Sequence, residues 1–226
     1  MSNHPKDFES SEKEELGFKI IKVDKDLVEL ERRTKETLIK VKIDSGARRS
    51  WKIDTNLHFL NHMIEMLAYY SELNIDLQVE PLKYNLTHTL IEDSGITLGR
   101  ALYFMATERA KEYGINGFGH SQGALDEAFS EVRLFFEGRA GCWITRSSDA
   151  RWFGQVEDIQ EEFMTSFFEG FAQGMRATIH LDLKRASDPH HLWESAFRAF
   201  GDAIRQALAR NDWRRGGIAG VKGTVD

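Results

Sequence analysis

Apolar and polar residues alternate strongly from Leu27 to Ile43, with Leu38, Val41 and Ile43 among the β-forming positions, and more weakly from Phe18 to Val23. A period of two turns successive side chains to opposite faces of a sheet, so these stretches fit strands joined by a charged turn. Asp44-Ser45-Gly46 makes a turn, after which Arg48 to Ile53 returns as a strand. The period then changes to that of a helix. Phe59, Met63, Met66, Leu67 and Tyr70 fall on one stripe of a helix from Phe59 to Tyr70. Strict alternation marks a strand from Ile75 to Val79, and a second helix runs from about Thr89 to Tyr113, where Gly114 ends it.

The second half repeats this plan. Gly117 to Ala128 is read as a loop, Phe129 to Phe136 and Ala140 to Ile144 as strands, and Ile159 to Gln173 as a helix. A strand from Ala177 to Leu183 leads through Asp188 to a last helix, His190 to Ala209. Two copies of strands, helix, strand, helix make an α+β organisation of two tandem duplicated half-domains, each a mixed sheet on two helices. The details coincide as well. His88 follows His62 by 26 positions and His190 follows Ser166 by 24, while Glu92 precedes Gly99, and Glu194 precedes Gly201, by seven. The expected boundaries are 1–16 for an acidic tail, 17–114 for the first half and 115–226 for the second.

Composition narrows the class. Of 226 residues, 41% are hydrophobic, with 15 Phe and 5 Trp, which suits a soluble globular chain. A net charge of −6 supplies no clustered cations for phosphate backbones and argues against a nucleic-acid partner. Cys142 has no partner for an internal disulfide, which points to a reducing, cytoplasmic setting, and its strand-like flanks make it a buried structural thiol. No run reaches membrane-spanning length or has the form of a signal peptide. The first 16 residues are acidic and Ser-rich, and read as a mobile tail.

The chemistry concentrates at Asp188-Pro189-His190-His191-Leu192-Trp193-Glu194. Asp188 suits an N-cap and Pro189 the first turn. His190 and Glu194 are four apart and His191 and Glu194 three apart, so all three occupy neighbouring helix positions. Imidazoles with a carboxylate suit a first-row divalent ion. His88 and Glu92 form the counterpart in the first half, with one imidazole missing, and the repeat makes the mid-helix His62 a further candidate ligand.

These motifs resemble the imidazoleglycerol-phosphate dehydratase family from about Leu27 to Val225. Arg32 to Thr37 (RRTKET) resembles its opening strand signature, and Phe59 to Met63 (FLNHM) its first helix motif. THTLIEDSGITLG from Thr87 and DPHHLWESAFRAFG from Asp188 resemble its two histidine motifs. Phe118 to Ala128, Gly138-Arg139 and Val221 to Val225 resemble its loop, turn and tail. The resemblance implies a ribosomal S5 second-domain-like fold in each half and a homo-oligomer, a cubic 24-mer in the family, with active sites between subunits. Two Mn ions would hold a small substrate's imidazole and act as Lewis acids while a carboxylate moves the proton.

Carried over by position, the metal ligands are His62, His88, Glu92, His190, His191 and Glu194. The proton-transfer carboxylates are Glu92, Glu194 and Glu36, and Arg139, Arg198 and Lys222 hold an anion. His88 takes the second place of its pair when aligned from Leu82, and the first when aligned back from Glu92. Ser166 stands where the second half's lone histidine belongs, Gly117 where the family loop has arginine, Met66 where the first helix has glutamine, Ala124 where the loop has proline, and Gly220 where the tail has serine. The resemblance therefore implies a metal-dependent lyase that removes water from a small anionic substrate, with Mn or another first-row ion in one good site or in two weak ones. The alternatives are a catalytically impaired relative that binds a ligand or assembles, and an ordinary histidine-pathway dehydratase with compensating ligands.

Overall fold

The computed structural model describes residues 15–217; most of the acidic tail and the Lys222 tail lie outside them. Two mixed sheets each carry two helices. The first half comprises β1 (Gly17–Val23), β2 (Leu27–Arg33), β3 (Thr37–Asp44), β4 (Ile53–Asp54), α1 (His58–Ser71), β5 (Asn74–Pro81) and α2 (Thr87–Glu112). The second comprises β6 (Phe118–Leu125), β7 (Ala128–Phe135), β8 (Gly141–Arg146), the short hairpin β9 (Gln155–Val156) and β10 (Ile159–Gln160), α3 (Phe163–Met175), β11 (Thr178–Arg185) and α4 (Pro189–Leu208). The sheet orders are β1-β2-β3-β5-β4 and β6-β7-β11-β8. Apart from the added edge strand β1 they are the same order, and each closes on one parallel pair, β4 with β5 and β8 with β11.

Periodicity explains most of this. Along β3 the residues Thr37, Ile39, Val41 and Ile43 are buried and the residues between them are less so. Polar Lys40 and Lys42 thus face away from the helices. Between the sheets the helices pack in cross-half pairs, α1 on α4 and α2 on α3. The second pair approaches backbone to backbone: a Cβ on Gly95 would lie 2.2 Å from the Phe167 carbonyl, and one on Gly170 would lie 2.5 Å from that of Glu92. The helix ends repeat too. Glu72 after α1 and Arg176 after α3 both adopt left-handed backbone, each ten positions past His62 and Ser166.

Four expectations need correction. Gly117 to Ala128 is not a loop, because Phe118–Leu125 forms β6, paired antiparallel with β7. Its inward positions include Gly119 and Gly123, where an added Cβ would come within 1.9 Å of the carbonyls of Ala203 and Ser195. The backbone of α4 occupies the space of side chains, so β6 has no hydrophobic alternation to display. Arg48 to Asp54 is strand only at its last two residues. Before them the Asp76 carboxylate accepts from Arg49 and the Lys52 amide, in place of a continuous ladder. The Leu27–Ile43 stretch is two strands broken at Thr34–Glu36, so Glu36 sits in a hairpin bend and not within a strand. Finally, α3 begins at Phe163, because Ile159 belongs to the β9–β10 hairpin. Cys142, expected to be buried, is only partly so, and that burial pushes its thiol up to about 12.

Candidate active site

The site forms where the first turns of α4 meet the middle of α1. Asp188 caps α4, its Oδ1 accepting from the His190 amide at 2.8 Å, and Pro189 fills the first helical position. This start sends His190 and Glu194 along one face toward α1. Glu194 Oε2 lies 3.0 Å from His62 Nε2 and 3.3 Å from His190 Nε2. One ligand atom from each of His62, His190 and Glu194 falls within 4.8 Å of the others. Two nitrogens and a buried carboxylate oxygen so close together fit a first-row divalent ion. The second oxygen of Glu194 accepts from Arg198 Nη2 at 2.5 Å. Burial works to raise the Glu194 carboxyl, but hydrogen bonds from Arg198 and His62 outweigh it and hold the group below its ordinary value.

Each imidazole of the α4 pair has a carboxylate on its Nδ1. His190 meets Glu157 Oε1 at 2.9 Å and His191 meets Glu127 Oε2 at 3.0 Å. The rings stand 6.1 Å apart at 83°, so they face different directions. His191 lies outside the three-residue cluster, with its Nε2 3.8 Å from Asp126. Glu127 also accepts from the Ser187 and Asp188 amides ahead of the helix.

The Glu127–His191 pair gives a pH prediction. His191 chiefly holds the Glu127 carboxyl down at about 2, from an ordinary 4.5, and Glu127 raises His191 above 6.5. A depressed carboxylate contributes stability above its unfolded value, and a raised imidazole contributes below its own. The pair is therefore fully stabilising between pH 4.5 and 6.5. Its contribution fades as pH rises through the folded His191 value or falls toward 2. In metal-free thermal melts, Glu127→Gln is expected to lower Tm most within that window and progressively less above it.

The other helix pair carries the counterpart. Ser166 is buried one turn before Gly170, whose wall is the Glu92 carbonyl, so Ser166 lies beside the turn of α2 that bears Glu92. His88 is exposed and packs edge-on against Phe163 at 5.5 Å. Among the described residues no second group of three metal-binding side chains forms, and no side chain pairs with the Glu92 carboxylate. Asp93, next to Glu92, is buried and ties α2 to the sheet. It accepts from Thr37 Oγ1 at 2.6 Å and pairs with Arg32 at 2.6 Å.

The anion-binding candidates are dispersed. Arg198 touches the cluster, but its guanidinium is engaged by Glu194 and the Ala124 carbonyl. Arg139 sits beside Thr178 at the start of β11, whereas His190 follows the end of that eight-residue strand. An eight-residue strand spans roughly 25 Å, so one copy does not bring Arg139 to His190. Glu36, exposed at its bend, donates its amide to Thr34 Oγ1 and accepts from the Leu82 amide through its carbonyl. Lys222 is outside the described residues. The motifs did not single out Glu157, which stands 33 positions from His190, as a partner of its imidazole.

A family model described as imidazoleglycerol-phosphate dehydratase matches residues 55–204, from before α1 to the last turn of α4. The Methylococcus capsulatus imidazoleglycerol-phosphate dehydratase is 32% identical over 197 residues, covering 87% of this chain and 97% of the relative. That of Pseudomonas aeruginosa is 34% identical over 198 residues, covering 86% and 95%. Among solved structures, the Pyrococcus furiosus enzyme superposes with a TM-score of 0.69 at 30% identity, over 85% of this chain and 98% of that one. The Staphylococcus aureus enzyme gives 0.68 at 25% identity, over 82% and 99%. Likeness along nearly the whole length of these proteins, with the paired helices and their histidine–glutamate motifs inside the matched region, places the chain in the imidazoleglycerol-phosphate dehydratase family of carbon–oxygen lyases.

Proposed function

We propose that this chain is a diverged, metal-dependent dehydratase that removes water from a small anionic substrate through a site based on His62, His190 and Glu194. The observation that carries the reading is the asymmetry between equivalent helix pairs. On α1 and α4, two imidazoles and a carboxylate converge; on α2 and α3, Ser166 stands beside Glu92, where a histidine would complete the set. A serine hydroxyl is a weak donor for such ions, which supports one strong site in place of two.

Mn is the ion that family membership suggests, and when bound it would act as a Lewis acid toward the substrate. His62, His190 and Glu194 would hold it, with His88, His191 and Glu92 as further donors. Glu194 is bonded to His62 and Arg198 and lies 3.3 Å from His190 Nε2, whereas Glu92 has no side-chain partner among the described residues. Glu92 is therefore our first choice for proton transfer, with Glu36 as a second. His191 keeps its Nε2 turned from the cluster, and Arg139 lies a strand's length away. Both facts support a homo-oligomer in which another copy completes the site and Arg139, Arg198 and Lys222 contribute cationic charge toward the substrate.

A second reading, a relative that binds a ligand without turning it over, is favoured by Ser166. Assaying imidazoleglycerol phosphate with added Mn separates the two. We expect Mn-dependent turnover at least about 100-fold below that of the Pyrococcus furiosus enzyme, because loss of a direct ligand exceeds the usual effect of outer partners. Equal turnover would refute divergence, and no turnover of any imidazole-bearing alcohol phosphate would favour the second reading.

A further inference from the structure

The β9–β10 hairpin is tied to both helices that supply the cluster. At its base, the fully buried Glu161 accepts from Trp193 Nε1 at 3.2 Å, from Arg146 Nη2 at 2.7 Å and from the Phe153 amide at 2.7 Å. Trp193 lies on α4, between His191 and Glu194. Val156 and Ile159 are buried beneath the hairpin. At its tip, Asp158 accepts from the amides of His58 and Phe59 at 2.7 and 3.0 Å. It thereby caps α1, the helix of His62, from about a hundred positions away; the local N-cap residue, Leu57, offers no side-chain bond. The other tip residue, Glu157, adopts left-handed backbone with φ 49° and places its carboxylate 2.9 Å from His190 Nδ1.

We propose that Glu157 is a positioning residue for His190 and that the hairpin is the device that holds it there. Glu157 at 2.9 Å from Nδ1 is a closer acceptor than Glu194 at 3.3 Å from Nε2, so it favours the tautomer protonated on Nδ1 and keeps Nε2 as the nitrogen that a cation held with Glu194 and His62 would take. The Phe59 ring, edge-on to His190 at 5.2 Å, limits rotation out of this orientation. Glu157 is 57% exposed, so water replaces it in part and the effect of its removal lies at the lower end of the range for such partners. Nothing in the local sequence around His190 carries this information, because Glu157 lies in a hairpin that α3 and β11 separate from α4 along the chain.

The inference rests on the metal-site reading above, and the test separates the two. Magic-angle-spinning 15N spectra of metal-free, histidine-labelled protein at pH 8 report the His190 tautomer, with His190→Gln assigning the signals. The Nδ1–H form is expected in wild type and in Glu157→Gln, which keeps an acceptor oxygen, and a mixture with the Nε2–H form in Glu157→Ala. Mn(II) affinity, read from the free-ion EPR signal, is expected to fall about 10-fold in Glu157→Ala and less in Glu157→Gln. An unchanged tautomer in Glu157→Ala overturns the proposal, whatever the metal does. A tautomer change in a protein whose wild type binds no Mn supports the positioning role and instead defeats the metal-site reading.

Discussion

Replacing Glu194 with alanine is expected to weaken Mn(II) binding by more than about 100-fold and to remove metal-dependent turnover with it. The carboxylate is the only oxygen donor in the three-residue cluster, and it lies within 3.3 Å of the Nε2 atoms of both histidines. Loss of a direct ligand should exceed the roughly 10- to 100-fold effect typical of outer partners. His190→Ala is expected to act the same way, since Glu194 and His62 alone leave two donors. Neither change empties a packed apolar core, so circular dichroism should show native helix content in both. Full, tight Mn occupancy in both variants would contradict the assignment.

The second large effect is on the scaffold that aims α4. A Cβ at Gly123 would lie 1.9 Å from the Ser195 carbonyl and 2.8 Å from the Ala199 amide, so Gly123→Val forces α4 off β6. Overpacking against backbone is expected to cost about 3 kcal/mol in denaturant unfolding. Because Ser195 is the next residue after Glu194, the surviving folded protein should also bind Mn more weakly. Ala124→Val is the control: Ala124 is exposed on the same strand, and its carbonyl remains free to accept from Arg198. Its effect is expected to stay within about 0.5 kcal/mol. Equal stability of the two variants would show that α4 does not rest on β6 as described.

Most of the fold was legible because burial follows local periodicity. The alternation of β3, the apolar stripe of α1, and the Asp188-Pro189 start of α4 each declare an element within a few residues. What was not legible depended on partners distant in sequence. Strand β6 was hidden because a helix some seventy positions later replaces its inward side chains, and glycines read locally as a loop. The strand expected from Arg48 was largely lost to the Asp76 carboxylate on a different strand. At the site, the duplicated spacing made His62, His190 and Glu194 separate candidate ligands in the two halves, and the fold brings these three together. The same spacing gave no warning that Glu157 and Glu127 would reach the imidazoles, since hairpin tips carry no periodic signal. Arg198 illustrates a further limit. Its charge suggested an anion, but a position four residues after Glu194 on a helix also sets it against that carboxylate.

The central claim is that helices from both halves of the chain gather one divalent cation among His62, His190 and Glu194. The most direct measurement is an anomalous-difference map from crystals equilibrated with saturating MnCl2. We expect a manganese peak in contact with His62, His190 and Glu194 side chains. Manganese bound elsewhere, with no peak between those three residues, would contradict the account.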